Sequence, residues 1–334
     1  MRFLQVHLSI RRGGADVAVS NIKLGLERSG HFCAVATDDV VATIMRGQFD
    51  LILIHSHSPE NRQQYIDGVA AARQAQIPHA IMAHDYGLFC HQTNLVMPNV
   101  GWKQCRVTRE TPCSPSDRCQ HKITYPLMVD DLVDTDIVCF TERSGGLFRS
   151  AGFGRIHIIP HGVDTAMFTP SVKGTGNFRV LFTNAWGTKE IKGYLHWEWL
   201  KRQFERRTEI VFAETLGNTE HRWMPSFLAS GDVMLFLSLW EETYGLVVAE
   251  SMACGTPVIS YPVGVSPALL DAGNGILVET SNPADVAAAI ERMIAMSPAE
   301  RAEMGERARR TIVDGYTVER MAADYVALAK ELAR

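Results

Sequence analysis

Two glutamates in an otherwise apolar stretch are the first residues of this sequence whose types and spacing could do chemistry. Glu242 and Glu250 stand in EETYGLVVAESMACGTPVIS, which covers residues 241–260. The second glutamate falls in a run with the apolar spacing of a buried helix, which we expect to begin at Gly245 and to end at Gly255. A buried carboxylate costs free energy unless it has partners. Glu250 is therefore either a ligand-binding residue or one half of a structural hydrogen bond or ion pair.

The expected helix start at Gly245 gives the two carboxylates separate surroundings. Free N–H groups and the helix dipole at a helix N-terminus favour anionic or hydroxyl-rich ligands. Glu242 lies just before this end and Glu250 lies up to two turns beyond it, so roughly 10 Å separates them at the ~1.5 Å rise per residue. This separation favours contacts with two parts of one ligand over joint acid–base chemistry.

The strands and helices that position the two glutamates can be predicted from the sequence, in which runs rich in β-branched residues alternate with helical patterns. Continuous apolar runs are typical of parallel strands buried on both faces. They occur at residues 50–57, 79–85, 136–142, 156–162, 179–185, 208–215, 232–239 and 256–262. Amphipathic helices are expected at residues 17–29, 63–76, 284–295, 299–314 and 318–333. Two successive α/β series predict two doubly wound domains, divided within the aperiodic residues 165–178. Ligands bind such sheets at the carboxyl ends of their strands.

The composition excludes some classes of protein. The 334 residues are 46% hydrophobic and 21% charged, as in soluble globular proteins, and a net charge of −4 gives no general attraction to nucleic acid or anionic lipid. No apolar run approaches the roughly 18–20 residues that span a bilayer. The first residues, MRFLQVHLSIRRGG, are too short an apolar stretch for a signal peptide, so we expect a cytoplasmic protein.

The segment around the two glutamates resembles the carboxyl-terminal motif of retaining glycosyltransferases with the GT-B fold, family 4-like (glycosyl transferases group 1). The motif reads S-x-x-E-x-x-G-L-x-x-x-E-[AS]-M-A-x-G-x-P-V. The positions in register here are Ser238, Glu242, Gly245, Leu246, Glu250, Ser251, Met252, Ala253, Gly255, Pro257 and Val258. The resemblance implies two Rossmann-like doubly wound domains facing across a cleft. It assigns the acceptor domain to residues 1–163, with a C-terminal helix at about 317–334 crossing back to it, and the donor domain to residues 164–316.

The same resemblance implies roles for residues of the donor domain. Glu242 and the loop that follows it would contact the sugar of a nucleotide-sugar donor, and Glu250 would accept hydrogen bonds from the ribose hydroxyls. Lys192, in the segment EIKGY, would neutralise the donor diphosphate, for which a compact ammonium charge is suited. The implied donor-binding residues in this loop and helix start are Thr243, Tyr244, Gly245 and Leu246.

In the first domain, the resemblance covers a glycine loop and a strand end. Gly13 and Gly14 follow the first strand, where absent side chains let a ligand approach the backbone. His84 ends the strand of HAIMAHDYGLFC and would contact the donor sugar, whereas a structural histidine is the alternative. Asp85 would orient His84 or meet the acceptor, and His55 and His57 are weaker candidates.

The chain departs from the family pattern at several positions. Asn184 and Ala185 stand where the family places an arginine near the diphosphate, so Lys189, Arg11 or Arg12 would have to supply that charge. His161 replaces the usual asparagine of the interdomain segment, and GVSPA replaces G-G-x-x-E after Glu250.

Residues 90–122 form a polar segment with four of the seven cysteines. Cys105, Cys113 and Cys119, with Cys90 or His121, could hold zinc, although no C-x-x-C pair is present. Reduced, partly buried thiols are the favoured alternative. The segment is also basic, which would suit an anionic acceptor or a peripheral contact with a membrane.

The sequence therefore predicts a retaining glycosyltransferase of the hexosyltransferase type, with His84, Glu242 and Lys192 as catalytic residues. Positioning and electrostatic stabilisation would supply most of the catalysis, with no cofactor or metal required. The alternatives are a sugar-nucleotide epimerase or phosphorylase on the same fold and a sugar-nucleotide-binding protein without turnover. The donor nucleotide, the sugar, the acceptor and the oligomeric state are not predicted.

Overall fold

The computed structural model describes residues 1–7, 13–56, 62–90, 95–97, 103–104, 132–171, 176–183, 189–215, 219–271 and 273–334. These residues form two compact units. The first comprises Met1–Gly162, Glu241–Tyr244 and Val318–Arg334, and the second comprises Val163–Trp240 and Gly245–Thr317.

The first unit is built on a parallel sheet with the order β2-β1-β3-β4-β7-β8. Its strands are β1 Arg2–Val6, β2 Phe32–Ala36, β3 Leu51–Ser56, β4 His79–Ala83, β7 Asp136–Cys139 and β8 Ile156–Ile158. Its helices are α1 Gly14–Arg28, α2 Val40–Arg46, α3 Arg62–Gln74, α4 Glu142–Ser150 and α11 Val318–Leu332. Two short strands, β5 Val96–Met97 and β6 Lys103–Gln104, form a separate antiparallel pair.

The second unit has the sheet order β10-β9-β11-β12-β13, again all parallel. Its strands are β9 Phe178–Phe182, β10 Ile210–Glu214, β11 Val233–Phe236, β12 Val258–Ser260 and β13 Gly275–Leu277. Its helices are α5 Tyr194–Gln203, α6 Met224–Ala229, α7 Leu246–Ala253, α8 Ser266–Leu269, α9 Pro283–Ala295 and α10 Pro298–Gly315, with a 3-10 helix at His221–Trp223.

Burial explains why these strands form. Every residue of β3, β7, β11 and β12 is buried, which agrees with the continuous apolar runs of the sequence. The expectation of two covered faces was wrong for β8, whose three residues are only half-buried, and for β10, where only Ile210 is buried. Each of these strands has a single neighbour because it lies at the edge of its sheet.

The last helix belongs to the first unit. Helix α11 packs against α1, Arg28 pairs with Glu319 at 3.2 Å, and Gly162 N donates to the sulfur of Met321 at 3.1 Å. The α/β class, with two parallel sheets and this returning helix, is as predicted.

Candidate functional site

Three histidines lie at the carboxyl end of the first sheet. His7 follows β1, His55 is the fifth residue of β3, and His84 follows β4. The order of the sheet reverses direction at β1 and β3, and ligands bind parallel sheets at such a point. Nδ1 of His55 lies 2.7 Å from Nε2 of His84, and the two rings stack with centroids 5.0 Å apart. The topology, and not sequence proximity, brings these rings together.

His161 continues this row of rings. It stacks on His84 at 5.8 Å and on Phe140 at 3.8 Å, and it meets the edge of Tyr244 at 5.0 Å. The ring is 3% exposed, and its burial lowers the pKa of His161 to about 3. His161 is thus a neutral ring at any pH near 7, and it adds a flat surface without a charge.

The segment Glu241–Tyr244 binds to the first unit through three of its four side chains. The Glu241 carboxylate, wholly buried, pairs with Nε of Arg143 at 2.6 Å. Thr243 Oγ1 donates to the carbonyl of His84 at 3.1 Å, and the Tyr244 hydroxyl donates to the carbonyl of His161 at 2.8 Å. These bonds hold Glu242, which is 4% exposed, in the same unit as His84.

The glycine loop after β1 is closed by an aspartate. Gly13 is the N-cap of α1, and its N–H donates to Oδ2 of Asp16 at 2.8 Å. Oδ1 of Asp16 lies 2.9 Å from Nε2 of His7. The Gly13 amide therefore already has an acceptor, whereas a Cβ placed on Gly14 would meet no described atom within 4 Å.

Asp85 takes part in a tight turn beside His84. Its Oδ1 accepts from the N–H of Gly87 at 2.7 Å. This bond fixes the chain direction immediately after β4. The predicted role of Asp85 in orienting His84 or meeting the acceptor stays a prediction.

In the second unit, Lys192 lies at the start of α5. Its Nζ stands 5.0 Å from the centre of the Trp240 ring, a cation–π distance, and Ile191 accepts from the N–H of Leu239 at 2.7 Å. Gly193 caps α5 with a φ of +83°, and a Cβ there would lie 2.1 Å from the carbonyl oxygen of Leu237. Only glycine allows the backbone at residue 193 to approach the carbonyl of Leu237 this closely. This close approach holds Lys192 beside the loop that follows β11.

Helix α7 begins where the sequence predicts. Gly245 is its N-cap with a φ of +98°, and Gly255 follows its end with a φ of +68°. The first helical residue is Leu246. Strands β9 and β11 are the point at which the order of the second sheet reverses, so Lys192 and the N-terminus of α7 both follow strands at that point.

Glu250, 4% exposed on α7, has a partner that the sequence did not indicate. Nε2 of His221 lies 2.7 Å from Oε1 of Glu250, and the ring of Phe168 is 5.4 Å from the His221 ring. Burial lowers the pKa of His221, but the hydrogen bond and the charge of Glu250 outweigh it, so the pKa is raised overall. The pair is an ion pair when His221 is protonated. It keeps one carboxylate oxygen of Glu250 in a fixed direction.

Comparison with known proteins gives this arrangement a context. Residues 199–311 match the family described as Glycosyl transferases group 1. The chain is 25% identical to the D-inositol 3-phosphate glycosyltransferase of Paenarthrobacter aurescens (strain TC1), over 85% of this chain and 76% of that protein. The chain is therefore similar to glycosyl transferases of group 1.

Solved structures agree on the fold of the chain. Sucrose-phosphate synthase from Thermosynechococcus elongatus is 15% identical, with a TM-score of 0.70 over 99% of both chains. Anabaena Alr3699/HepE, solved in complex with UDP-glucose, is 17% identical, with a TM-score of 0.66 over 100% of this chain and 99% of that one. The predicted GT-B class of two Rossmann-like domains is confirmed.

Several residues with predicted roles lie outside the described residues. They are Arg11, Arg12, His57, Cys105, Cys113, Cys119, His121, Asn184 and Ala185. Among the residues that the structure does describe, no group of three or more His, Cys, Asp or Glu side chains is placed to hold a metal ion. Cys90 is buried. Within the same described ranges, no helix has the length and apolar character needed to cross a membrane.

Proposed function

We propose that this chain transfers a sugar, with retention of the anomeric configuration, from a nucleotide-diphosphate-sugar donor to a polar acceptor. The observation that carries the proposal is the site on the second unit. Glu250 with its buried carboxylate, Lys192 with its ammonium group and the N-terminus of α7 all follow strands at the reversal point of one parallel sheet. This set complements ribose hydroxyls and a diphosphate, the two features that nucleotide sugars share.

Each group has a defined task in this proposal. Glu250 accepts hydrogen bonds from the ribose, with His221 holding its other side. Lys192 and the first N–H groups of α7 stabilise the negative charge that grows on the diphosphate as the sugar–oxygen bond breaks. On the first unit, His84 and Glu242 contact the transferred sugar and orient it. None of these residues needs to form a covalent bond with the sugar.

The choice of ligands to test follows from the relatives. HepE was solved with UDP-glucose, so UDP is the first nucleotide to test. The Paenarthrobacter relative is named for D-inositol 3-phosphate, so we propose a polyol phosphate as the acceptor class. Cys33 and Cys139 are buried free thiols, which supports the proposed cytoplasmic location.

Donor binding is tested by measuring the affinity of the full chain for UDP, GDP and ADP by calorimetry. Glu250→Gln should weaken the best nucleoside diphosphate about tenfold to hundredfold, because hydrogen bonds to a charged group contribute about 1.5–3 kcal/mol. Glu198→Gln is the matched control, since Glu198 lies on α5 of the same unit and pairs with Lys201. Unchanged affinity in Glu250→Gln would refute the assignment.

Transfer is then tested with the matching nucleotide sugars and with inositol phosphates as acceptors. NMR of the product should show the anomeric configuration of the donor, and EDTA should not reduce the rate. Product formed from the donor alone would instead favour an epimerase. Tight binding without turnover across all acceptors would favour a binding protein.

A further inference from the structure

His221 and Glu250 belong to segments that follow the two neighbours of β9 in the second sheet. His221 lies in the connection between β10 and α6, and Glu250 lies on α7, which follows β11. Strands β10 and β11 flank β9, so the 2.7 Å contact between the two side chains joins segments on both sides of the carboxyl end of β9. Ligands bind parallel sheets at this end, where the order of the strands reverses. The contact is therefore placed to act on a bound nucleotide.

The chemistry of this contact shows which atom supplies the hydrogen. A carboxylate oxygen only accepts, so Nε2 of His221 donates and Oε1 of Glu250 accepts. This assignment holds for the neutral and for the protonated ring, because Nε2 carries a hydrogen in both. The terminal torsion of a glutamate side chain is broad, and a hydrogen bond to one of its oxygens restricts it. The bond from His221 therefore gives Oε2 of Glu250 a defined direction.

The His221 ring is itself supported by its surroundings in the second unit. Phe168, which is 1% exposed, packs against it with ring centroids 5.4 Å apart. The carbonyl of Phe168 accepts from Nη1 of Arg309 on α10 at 2.9 Å, so Phe168 is held in turn. Glu250 is the charged group that acts on His221, whereas the adjacent Glu220 and Arg222 pair with each other at 3.1 Å. A binding carboxylate supported in this way is fixed before its ligand arrives.

We propose that His221 is a positioning residue that directs the Glu250 carboxylate toward the ribose hydroxyls, so that the site selects nucleotides with a ribose diol over nucleotides without one. This inference rests on the proposed function, in which Glu250 binds the ribose. Ribose hydroxyls donate and a carboxylate accepts, so the two groups are complementary. A nucleotide without these hydroxyls covers the carboxylate and gives it no hydrogen bond in return, which costs affinity. Fixing the carboxylate beforehand lowers the entropy that the ribose form loses on binding.

Calorimetry on the full chain with paired nucleotides measures this selection. The probes are UDP, GDP and ADP, each compared with its 2′,3′-dideoxy form, which keeps the base and the diphosphate. For the nucleotide that binds most tightly, the wild-type chain should prefer the ribose form about tenfold to hundredfold, as expected for hydrogen bonds to a charged group. His221→Phe keeps a ring against Phe168 but removes the donor, and it should reduce this preference about twofold to tenfold. His221→Gln keeps an N–H donor and should retain the wild-type preference.

The matched control is His196→Phe, which should leave the preference unchanged. His196 is the other histidine of the second unit, and it bonds the Tyr261 hydroxyl at 2.8 Å. His221→Leu also lacks a donor, and its smaller side chain provides a second test, with the same reduced preference expected.

The ratio of the two affinities separates positioning from a general effect on the fold. Equal weakening of the ribose and dideoxy forms by His221→Phe and His221→Leu would show that His221 acts on the fold alone and would overturn the proposal. A preference lost in His221→Gln as well would overturn the role of the donated hydrogen bond. Failure of all three nucleotides to bind the wild-type chain would instead refute the proposed function on which this inference rests.

Discussion

The ion pair between His221 and Glu250 should make the stability of the second unit depend on pH in a defined direction. The two side chains are 32% and 5% exposed, and Nε2 of His221 lies 2.7 Å from Oε1 of Glu250. Replacing His221 with alanine leaves the Glu250 carboxylate buried without this partner. The prediction concerns the fold alone, so it can be tested before any substrate is known.

The sign follows from the pKa of His221 in the two states. Burial lowers this pKa and the hydrogen bond and charge of Glu250 raise it, and the net result is a folded-state pKa above the ordinary 6.5. A group that binds its proton more tightly when folded contributes fully below the unfolded pKa and loses that contribution as the pH rises through the folded pKa. His221→Ala should therefore reduce the free energy of unfolding by about 2–3 kcal/mol near pH 5.5, because a hydrogen bond to a charged group is lost, and by less near pH 8.5.

Urea unfolding of the full chain measures this change. Five of the six tryptophans fall between residues 186 and 240, so tryptophan fluorescence reports mainly on the second unit. His196→Ala is the control, since His196 bonds the Tyr261 hydroxyl at 2.8 Å and burial lowers its pKa. Its cost should shrink as the pH falls, in the opposite direction. An equal cost of His221→Ala at both pH values would refute the interaction of its charge with Glu250.

Two further predictions concern buried positions. Gly193→Ala should lower the free energy of unfolding by more than about 2 kcal/mol, because Gly193 has a left-handed backbone and a Cβ there would overlap the carbonyl of Leu237. Gly146→Ala on α4 is the control, since a Cβ there meets no described atom, and it should raise the free energy of unfolding by about 0.5–1 kcal/mol. Urea unfolding measures both changes, and an unchanged stability of Gly193→Ala would contradict the close approach to Leu237. Cys33 and Cys139 are buried, and burial raises the pKa of both thiols, so both should react with maleimide only after the chain unfolds. Mass spectrometry of labelled peptides measures this reaction. Rapid labelling of either cysteine in the native chain would contradict its burial.

Features that depend on local sequence could be predicted. The apolar runs located the strands of both sheets to within a few residues, since a buried parallel strand needs no information beyond its own composition. The glycines that bound α7 were also predictable, because φ values of +98° and +68° are favourable only for residues without a Cβ. Short elements such as β2 and β13 were not predicted. Their runs are brief, and β2 lies at the edge of its sheet.

The hydrogen-bonded groups of the site could not be predicted in the same way. Gln5 and His55 are 50 residues apart, and His55 and His84 are 29 apart, so their contact depends on the order of β1, β3 and β4 in the sheet. His221 and Glu250 are also 29 residues apart and meet through a 3-10 helix that has no strong sequence signal. The sequence offered one indication of such a hydrogen-bonded group, which is a polar residue, Gln5, among the apolar residues of strand β1.

Glu242 and Glu250 lie close together in the sequence, but they belong to different units. Glu242 lies in the four-residue segment whose neighbours bond to Arg143, His84 and His161 of the first unit, and Glu250 lies on a helix of the second. The change of unit occurs at Gly245, where a φ of +98° turns the chain. A residue with a side chain would strain this turn and would also press on the ring of Phe236, 2.9 Å from a Cβ. The glycine in the motif is therefore required by the chain path between the two glutamates, independently of any ligand.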